Sequence, residues 1–364
     1  MKHNRVIQLS MILTMFLLVC SCKTLSMAVT PTDLPAVPTE SFQETAQILT
    51  DNQVGSQNPP GNGTVVESAH ASVPVKYASD ACLVELKKDL DEAYGNEESP
   101  SNDNRRSISR SKSKPDSDDG SVTLVTYTVK GDKISSPVLG KKIPSEYKKY
   151  TKDSELHNRI WKLITDIIPL DQRKDLDQFI LFTDGQDSIT GSVGEGSTPD
   201  TWSVEIDVLD SENLATLSTT LVYEFGHMLT LGASQVKYYA DTCQYYMASD
   251  GCSREDSYIN GFYNQFWWNL YDEWKSYAKP DENGEVNEDG AYAFYEKYPD
   301  QFVSDYAATH PEEDIAESWT YFIYSDVPKG DTIAEQKIQF FYMFPELVEM
   351  RRQMQNNLCN YSKE

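Results

Sequence analysis

Thr219-Thr220-Leu221-Val222-Tyr223-Glu224-Phe225-Gly226-His227-Met228-Leu229 is the stretch on which the reading of the fold turns. Apolar residues recur at Leu214, Leu217, Leu221, Phe225 and Met228, in steps of three and four. That period predicts a helix with one buried face. Gly232 follows as a candidate C-cap. Tyr223, Glu224 and His227 lie on the flank of the stripe. Positions 223 and 227 are one turn apart and point the same way, with 224 turned to one side of them.

Working outward, strands are expected on both sides of a loop upstream. Phe179-Ile180-Leu181-Phe182 and Val204-Glu205-Ile206-Asp207-Val208 are apolar and short, and the stretch 184–200 between them is rich in Gly and Ser. Val122 to Val129 is a third strand, rich in β-branched residues. Helical spacing runs through about 145–168, with Ile160, Leu163, Ile164 and Ile167 on one side. Downstream come an aromatic helix over 262–277, an acidic loop near 281–290, and two last helices at about 311–325 and 331–356. Strands precede helices rather than alternating with them, which predicts an α+β fold.

A second window carries further chemistry: Phe302-Val303-Ser304-Asp305-Tyr306-Ala307-Ala308-Thr309-His310-Pro311-Glu312-Glu313-Asp314-Ile315-Ala316-Glu317-Ser318-Trp319. Pro311 suits a first helical turn. Glu313 and Glu317 are one turn apart, while Ile315, Trp319 and Phe322 can pack on the core. Two carboxylates stacked beside a buried surface are costly unless something cationic meets them.

Both windows match parts of one known layout. A zinc peptidase helix carries His-Glu-x-x-His: two imidazoles on one face for the metal, and a carboxylate beside them for the metal-bound water. Here Tyr223 stands in the place of the first His, with Glu224 and His227 in register. The later window reads Glu313-Asp314-Ile315-Ala316-Glu317, with Tyr306 seven residues before its first Glu. Together the two are similar to the gluzincin zinc metallopeptidases, most closely the lethal-factor-like branch and related exported bacterial peptidases. The resemblance covers roughly residues 140–350. It implies a zincin-like domain with a small sheet and several helices, hydrolysing peptide bonds with Zn2+. His227 and Glu313 would be metal ligands and Glu224 the general base. Glu317 would orient a ligand from behind, and Tyr306 would donate to the oxyanion.

The departure at Tyr223 leaves three readings open. Tyr223 turns aside and zinc is weak or absent; or its oxygen ligates zinc in a shifted geometry; or another side chain fills the gap, His310 being the candidate. The rival from another class is a surface protein that keeps the architecture as a binding or structural module. His157 is set aside as part of a charged helix. The aromatic residues Tyr263, Phe266, Trp267, Trp268, Tyr271 and Trp274 are read as core packing against the site helix rather than as the lining of a cleft.

The remainder concerns address and partners. Residues 1–22 have a basic start, a short apolar run and small residues at the end, as a signal peptide does. Val19-Cys20-Ser21-Cys22 resembles a bacterial lipobox, with Cys22 as the lipidated residue. Residues 23–120 read as a polar tether with a short helix near 78–92, and its basic residues Arg105 to Lys114 as solvated linker. The metallopeptidase-like domain is expected over 121–358. A formal charge of -25 in 364 residues excludes nucleic acid as a partner. The expected partners are a polypeptide substrate or surface protein, and a membrane reached through lipid on Cys22. In an exported protein the four remaining cysteines should pair, and the pairing expected is Cys243–Cys252 with Cys82–Cys359.

Overall fold

Five strands form the main sheet, in the order β2-β1-β3-β5-β4. They are β1 (Val122–Lys130), β2 (Lys133–Leu139), β3 (Leu176–Thr183), β4 (Gly191–Glu195) and β5 (Trp202–Asp207). β3 and β5 are parallel, and every other neighbouring pair is antiparallel. A smaller antiparallel sheet, in the order β6-β8-β7, joins β6 (Val236–Tyr238), β7 (Met247–Ala248) and β8 (Gly251–Ser253). The class is α+β, as expected. The computed structural model describes residues 78–94, 121–185, 189–280 and 286–361. The signal segment, the lipobox cysteines and most of the polar tether lie outside the described residues.

The helices are α1 (Asp80–Tyr94), α2 (Ser154–Ile167), α3 (Leu214–Leu231), α4 (Tyr258–Phe262), α5 (Tyr271–Ala278), α6 (Glu288–Lys297), α7 (Pro311–Tyr324), α8 (Ile333–Phe340) and α9 (Pro345–Tyr361). α2 starts at Ser154, later than its sequence pattern, because Asp153 caps it by accepting from the Leu156 N–H at 3.0 Å. Its stripe Ile160, Leu163, Ile164 and Ile167 is buried as expected. α3 is capped in the same way by Asn213, which accepts from Thr216 N–H at 3.1 Å. It differs from the expectation of one buried face. Polar and apolar residues alike are buried around it, since the sheet, α1 and α7 enclose it. Gly232 follows it with φ −61° and ψ 166°, so no left-handed cap forms. Any side chain there would meet the Met228 carbonyl oxygen at 2.8 Å.

One glycine fixes the contact that matters most. A Cβ on Gly226 would lie 3.0 Å from Trp319 Cδ1 and 3.2 Å from Ala316 Cα. Its absence lets α3 and α7 cross with their backbones close together. Behind the crossing, Phe225, Trp319, Phe322 and Phe341 pack ring against ring.

Five sequence expectations are corrected. The Gly- and Ser-rich stretch 184–200 contains β4, the edge strand of the main sheet. The aromatic helix expected over 262–277 is three pieces: α4, a π-helical turn Tyr263–Trp267, and α5. The acidic loop gives way to α6, opened by Asn287, which caps the Gly290 N–H. The last helix is split into α8 and α9 by a 3₁₀ turn, Phe341–Met343. The segment 80–94, expected to be an isolated helix in the tether, belongs to the folded unit that spans residues 72–364. As α1 it buries Cys82, Leu86 and Leu90, at helical spacing, against α3, α7 and α9. Both expected disulfides are present, Cys82–Cys359 and Cys243–Cys252. Disulfides fit an oxidising, non-cytoplasmic compartment. Among the described residues no helix is long and apolar enough to cross a membrane.

Candidate metal centre

The crossing of α3 and α7 brings the two windows of sequence face to face. Tyr223 and His227 stand one turn apart, edge to face, with ring centroids 4.8 Å apart. Tyr223 does not turn aside. Its hydroxyl donates to Glu313 Oε2, and His227 Nε2 lies 3.3 Å from the same oxygen. All these groups are nearly out of water: Tyr223 is 7% exposed, Glu224 3%, His227 2% and Glu313 2%.

Charges in so dry a cluster must balance. Burial pushes the Glu224 carboxyl up to about 8, and the Glu313 charge adds to the rise while His227 opposes it. For His227, burial acts to lower the imidazole, but the carboxylates of Glu313 and Glu224 outweigh it and hold the group at about 9. Glu313 is the reverse case: burial would raise it, and the His227 charge and the Tyr223 hydrogen bond bring it below the usual carboxylate range. Burial, followed by the Glu313 charge, holds the Tyr223 phenol well above its ordinary value. These directions favour an imidazolium–carboxylate pair between His227 and Glu313 beside a neutral Tyr223 phenol in the metal-free cluster.

Glu224 also reaches the sheet. The Val193 N–H of β4 donates to its carboxylate, and Oε2 has no hydrogen-bond partner. Tyr306 sits on a 3₁₀ turn, Tyr306–Ala308, with its ring centroid 6.5 Å from that of Tyr223. Its hydroxyl makes no hydrogen bond of good geometry. Glu317 is fully buried and accepts the Ser304 hydroxyl, and Ser304 Oγ in turn accepts the Ala307 N–H at 3.1 Å. Glu317 thereby braces the turn that carries Tyr306. His310 is the N-cap residue of α7; its Nδ1 lies 3.7 Å from Glu312 Oε1 and its ring packs edge-on against Trp274. It does not fill the ligand gap.

Two of the expected donors stand at a spacing that a zinc ion could bridge. Two ligand atoms about 2.0–2.1 Å from one tetrahedral ion stand roughly 3.3–3.4 Å apart. The His227–Glu313 separation matches that spacing, and both imidazole nitrogens are buried without a hydrogen bond. Tyr223 is the misfit. Its oxygen is in direct hydrogen-bonding contact with the Glu313 oxygen, closer than two ligands of one ion stand, and it keeps its proton.

Several neighbours carry no sequence signature. Lys337 on α8 is fully buried, 2.5 Å from Asp314 Oδ2, and donates to the Gln301 carbonyl at 2.6 Å. Trp267 Nε1 donates to the same Asp314 oxygen at 2.7 Å. His157, set aside on sequence, is buried: Nε2–H donates to the Tyr150 carbonyl at 2.6 Å, leaving Nδ1 to accept from the Tyr127 hydroxyl at 2.8 Å. Of the aromatic residues, Trp267 and Trp274 are core as expected, whereas Trp268 is 66% exposed. Asp184, Asp207 and Asp210 bring their carboxylate oxygens close enough for a cation. Asp207 already accepts the N–H groups of Leu209 and Asp184, and Asp184 that of Ile189, so the cluster serves to close its own loop.

No family model matches the chain, and no curated protein or solved structure matches it.

Proposed function

We propose that this chain is an exported, lipid-anchored peptidase of the gluzincin type, with a zinc site that Tyr223 weakens. The observation that carries this reading is that Glu224 and His227 of α3, Glu313 of α7 and Tyr306 of the turn before α7 are buried close enough to act on one another's charge. His227 and Glu313 would hold the ion, and Tyr223 would have to withdraw from Glu313 for both to do so. Zinc, when bound, supplies a Lewis acid for water and for the scissile carbonyl. Glu224, ionised once a cation's charge stands beside it, takes a proton and returns it to the leaving amine. Tyr306 donates to the carbonyl oxygen as negative charge develops there. Ser304 and Glu317 keep its turn in place. Cys22, by its lipobox, would anchor the chain through two acyl chains.

A second reading is favoured by the Tyr223–Glu313 hydrogen bond, which occupies a ligand oxygen: an inactive surface module that keeps the architecture. One experiment separates the two. Zinc affinity and peptidase activity on an unfolded protein are measured for the natural chain, Tyr223→His, and Tyr223→His with Glu224→Gln. If four ligands share about 10–16 kcal/mol, one is worth roughly 3–4, or two to three powers of ten in affinity. Tyr223→His should gain that much and gain activity. The double variant should keep the zinc and lose about 10²–10⁴ in rate. Unchanged zinc affinity in a folded Tyr223→His protein would sink the metal-site reading.

A further inference from the structure

Glu312 immediately precedes Glu313 in the first turn of α7, and its carboxylate is buried. Its hydrogen-bond donors come from one hairpin. The Ser249 N–H donates at 2.8 Å, the Tyr246 hydroxyl at 3.2 Å, and the Ser249 hydroxyl completes the set. Tyr246 and Ser249 lie inside the loop closed by Cys243–Cys252, whose two cysteines are nine positions apart. β7 and β8 pair within it, Met247 opposite Cys252 and Ala248 opposite Gly251, so Ser249 sits at the tip of the turn. The site helix is thus pinned at its first turn by the tip of a disulfide-closed hairpin.

The two disulfides differ in access. Cys82 and Cys359 are buried, whereas Cys243 and Cys252 are half-buried. A reductant in solution meets the hairpin bond first. With that bond open, Ser249 and Tyr246 are held by fewer constraints. A buried carboxylate that loses its donors is driven toward water. Glu312 cannot move without disturbing Glu313 beside it.

We propose that the Cys243–Cys252 hairpin is a redox-sensitive positioning clamp on the site, holding the Glu313 turn through Ser249, Tyr246 and Glu312. Opening it loosens that turn and weakens the hold on zinc; this last consequence rests on the metal-site reading above. In the opening step a dithiol gives two electrons and two protons to the Sγ–Sγ bond. The bond breaks, Cys243 and Cys252 become thiols, and the dithiol closes to its own disulfide.

The test reads the clamp and the metal separately. Hydrogen exchange over 311–318 is compared in the oxidised protein, Cys243→Ser/Cys252→Ser, Ser249→Ala and Ser249→Thr. Zn2+ affinity is measured on the same proteins by chelator competition. Exchange over 311–318 should quicken about tenfold in the cysteine variant and less in Ser249→Ala, with β3 unchanged. Ser249→Thr, which keeps the hydroxyl, should restore the natural rate. Zinc affinity should fall about tenfold in the cysteine variant. Unaltered exchange over 311–318 in both the cysteine and alanine variants overturns the clamp. Quickened exchange with equal zinc affinity overturns its link to the metal. Quickened exchange with no zinc in any protein leaves the clamp standing and removes the metal-site reading instead. Should the cysteine variant fail to fold, Ser249→Ala and Ser249→Thr test the same contact with the disulfide intact.

Discussion

The Tyr223 hydroxyl donates to the Glu313 carboxylate across 90 residues of chain, and the oxygen it uses is also the one nearest His227. The residue that breaks the His-Glu-x-x-His pattern is therefore a working part of the metal-free cluster. Removing only that oxygen, in Tyr223→Phe, should cost about 1.5–3 kcal/mol, the range for a hydrogen bond to a charged group. Urea unfolding of the metal-free protein at pH 7 measures it. A loss below about 0.5 kcal/mol would mean that the bond does not form in solution.

Lys337 and Asp314 make a second buried pair, both side chains wholly out of water. Lys337→Met leaves Asp314 as an unpaired buried carboxylate and should cost about 3–5 kcal/mol. Adding Asp314→Asn should recover most of that loss, since the unpaired charge goes with it. Denaturation of the two variants decides the point: a double variant as unstable as the single would show that packing, not charge, sets the cost.

His157 makes stability depend on pH. Burial, partly opposed by the Tyr150 carbonyl and the Asp153 charge, holds its imidazole below the usual value of 6.5. The unfolded chain takes up a proton near 6.5 while the folded protein still refuses it. The neutral-His contribution is therefore complete above that pH and is lost as pH falls toward the folded value, by about 1.4 kcal/mol per pH unit. Urea unfolding at pH 7 and pH 5 should show a fall in the natural protein that is smaller in His157→Gln. Equal falls in the two proteins would rule it out.

Cys82–Cys359 links residues 277 positions apart. Its removal by Cys82→Ser/Cys359→Ser should destabilise the protein by about 4 kcal/mol, in the range for long closed loops. Because α1 packs through Cys82, Leu86 and Leu90, the loss should appear with α1 detaching first. Proteolysis after Lys87 or Lys88 in the variant, absent from the natural protein, is the readout.

The two site helices were legible because their signals are local. Leu217, Leu221 and Phe225 keep the helical period, and Pro311 marks the start of α7. The disulfides followed from compartment and count. What stayed hidden depends on distant partners. Gly191-Ser192-Val193-Gly194-Glu195 has one β-branched residue and becomes a strand only because β5 offers it an edge. Tyr223 reads as a missing ligand until Glu313 is placed opposite it. Lys337, in Ile333–Phe340, reads as a solvated charge on a short helix, because nothing nearby announces Asp314. Glu312 likewise looks like one more acid at a helix start until Ser249 is seen against it.

The flanks of the five-stranded sheet bear on how the protein behaves when many copies are crowded on one surface. An open sheet edge is a template on which a second copy can add a strand, and the chain blunts both of its edges. β4 is five residues long, carries two glycines and ends in Glu195, and its Val193 N–H is already given to Glu224. β2, at the other side, holds Pro137 without an N–H, Ser136 at φ 52° and Lys133 at its start, opposite an irregularity in β1. Neither flank offers an uninterrupted ladder. Edge-to-edge fibre growth is thereby disfavoured at high local concentrations.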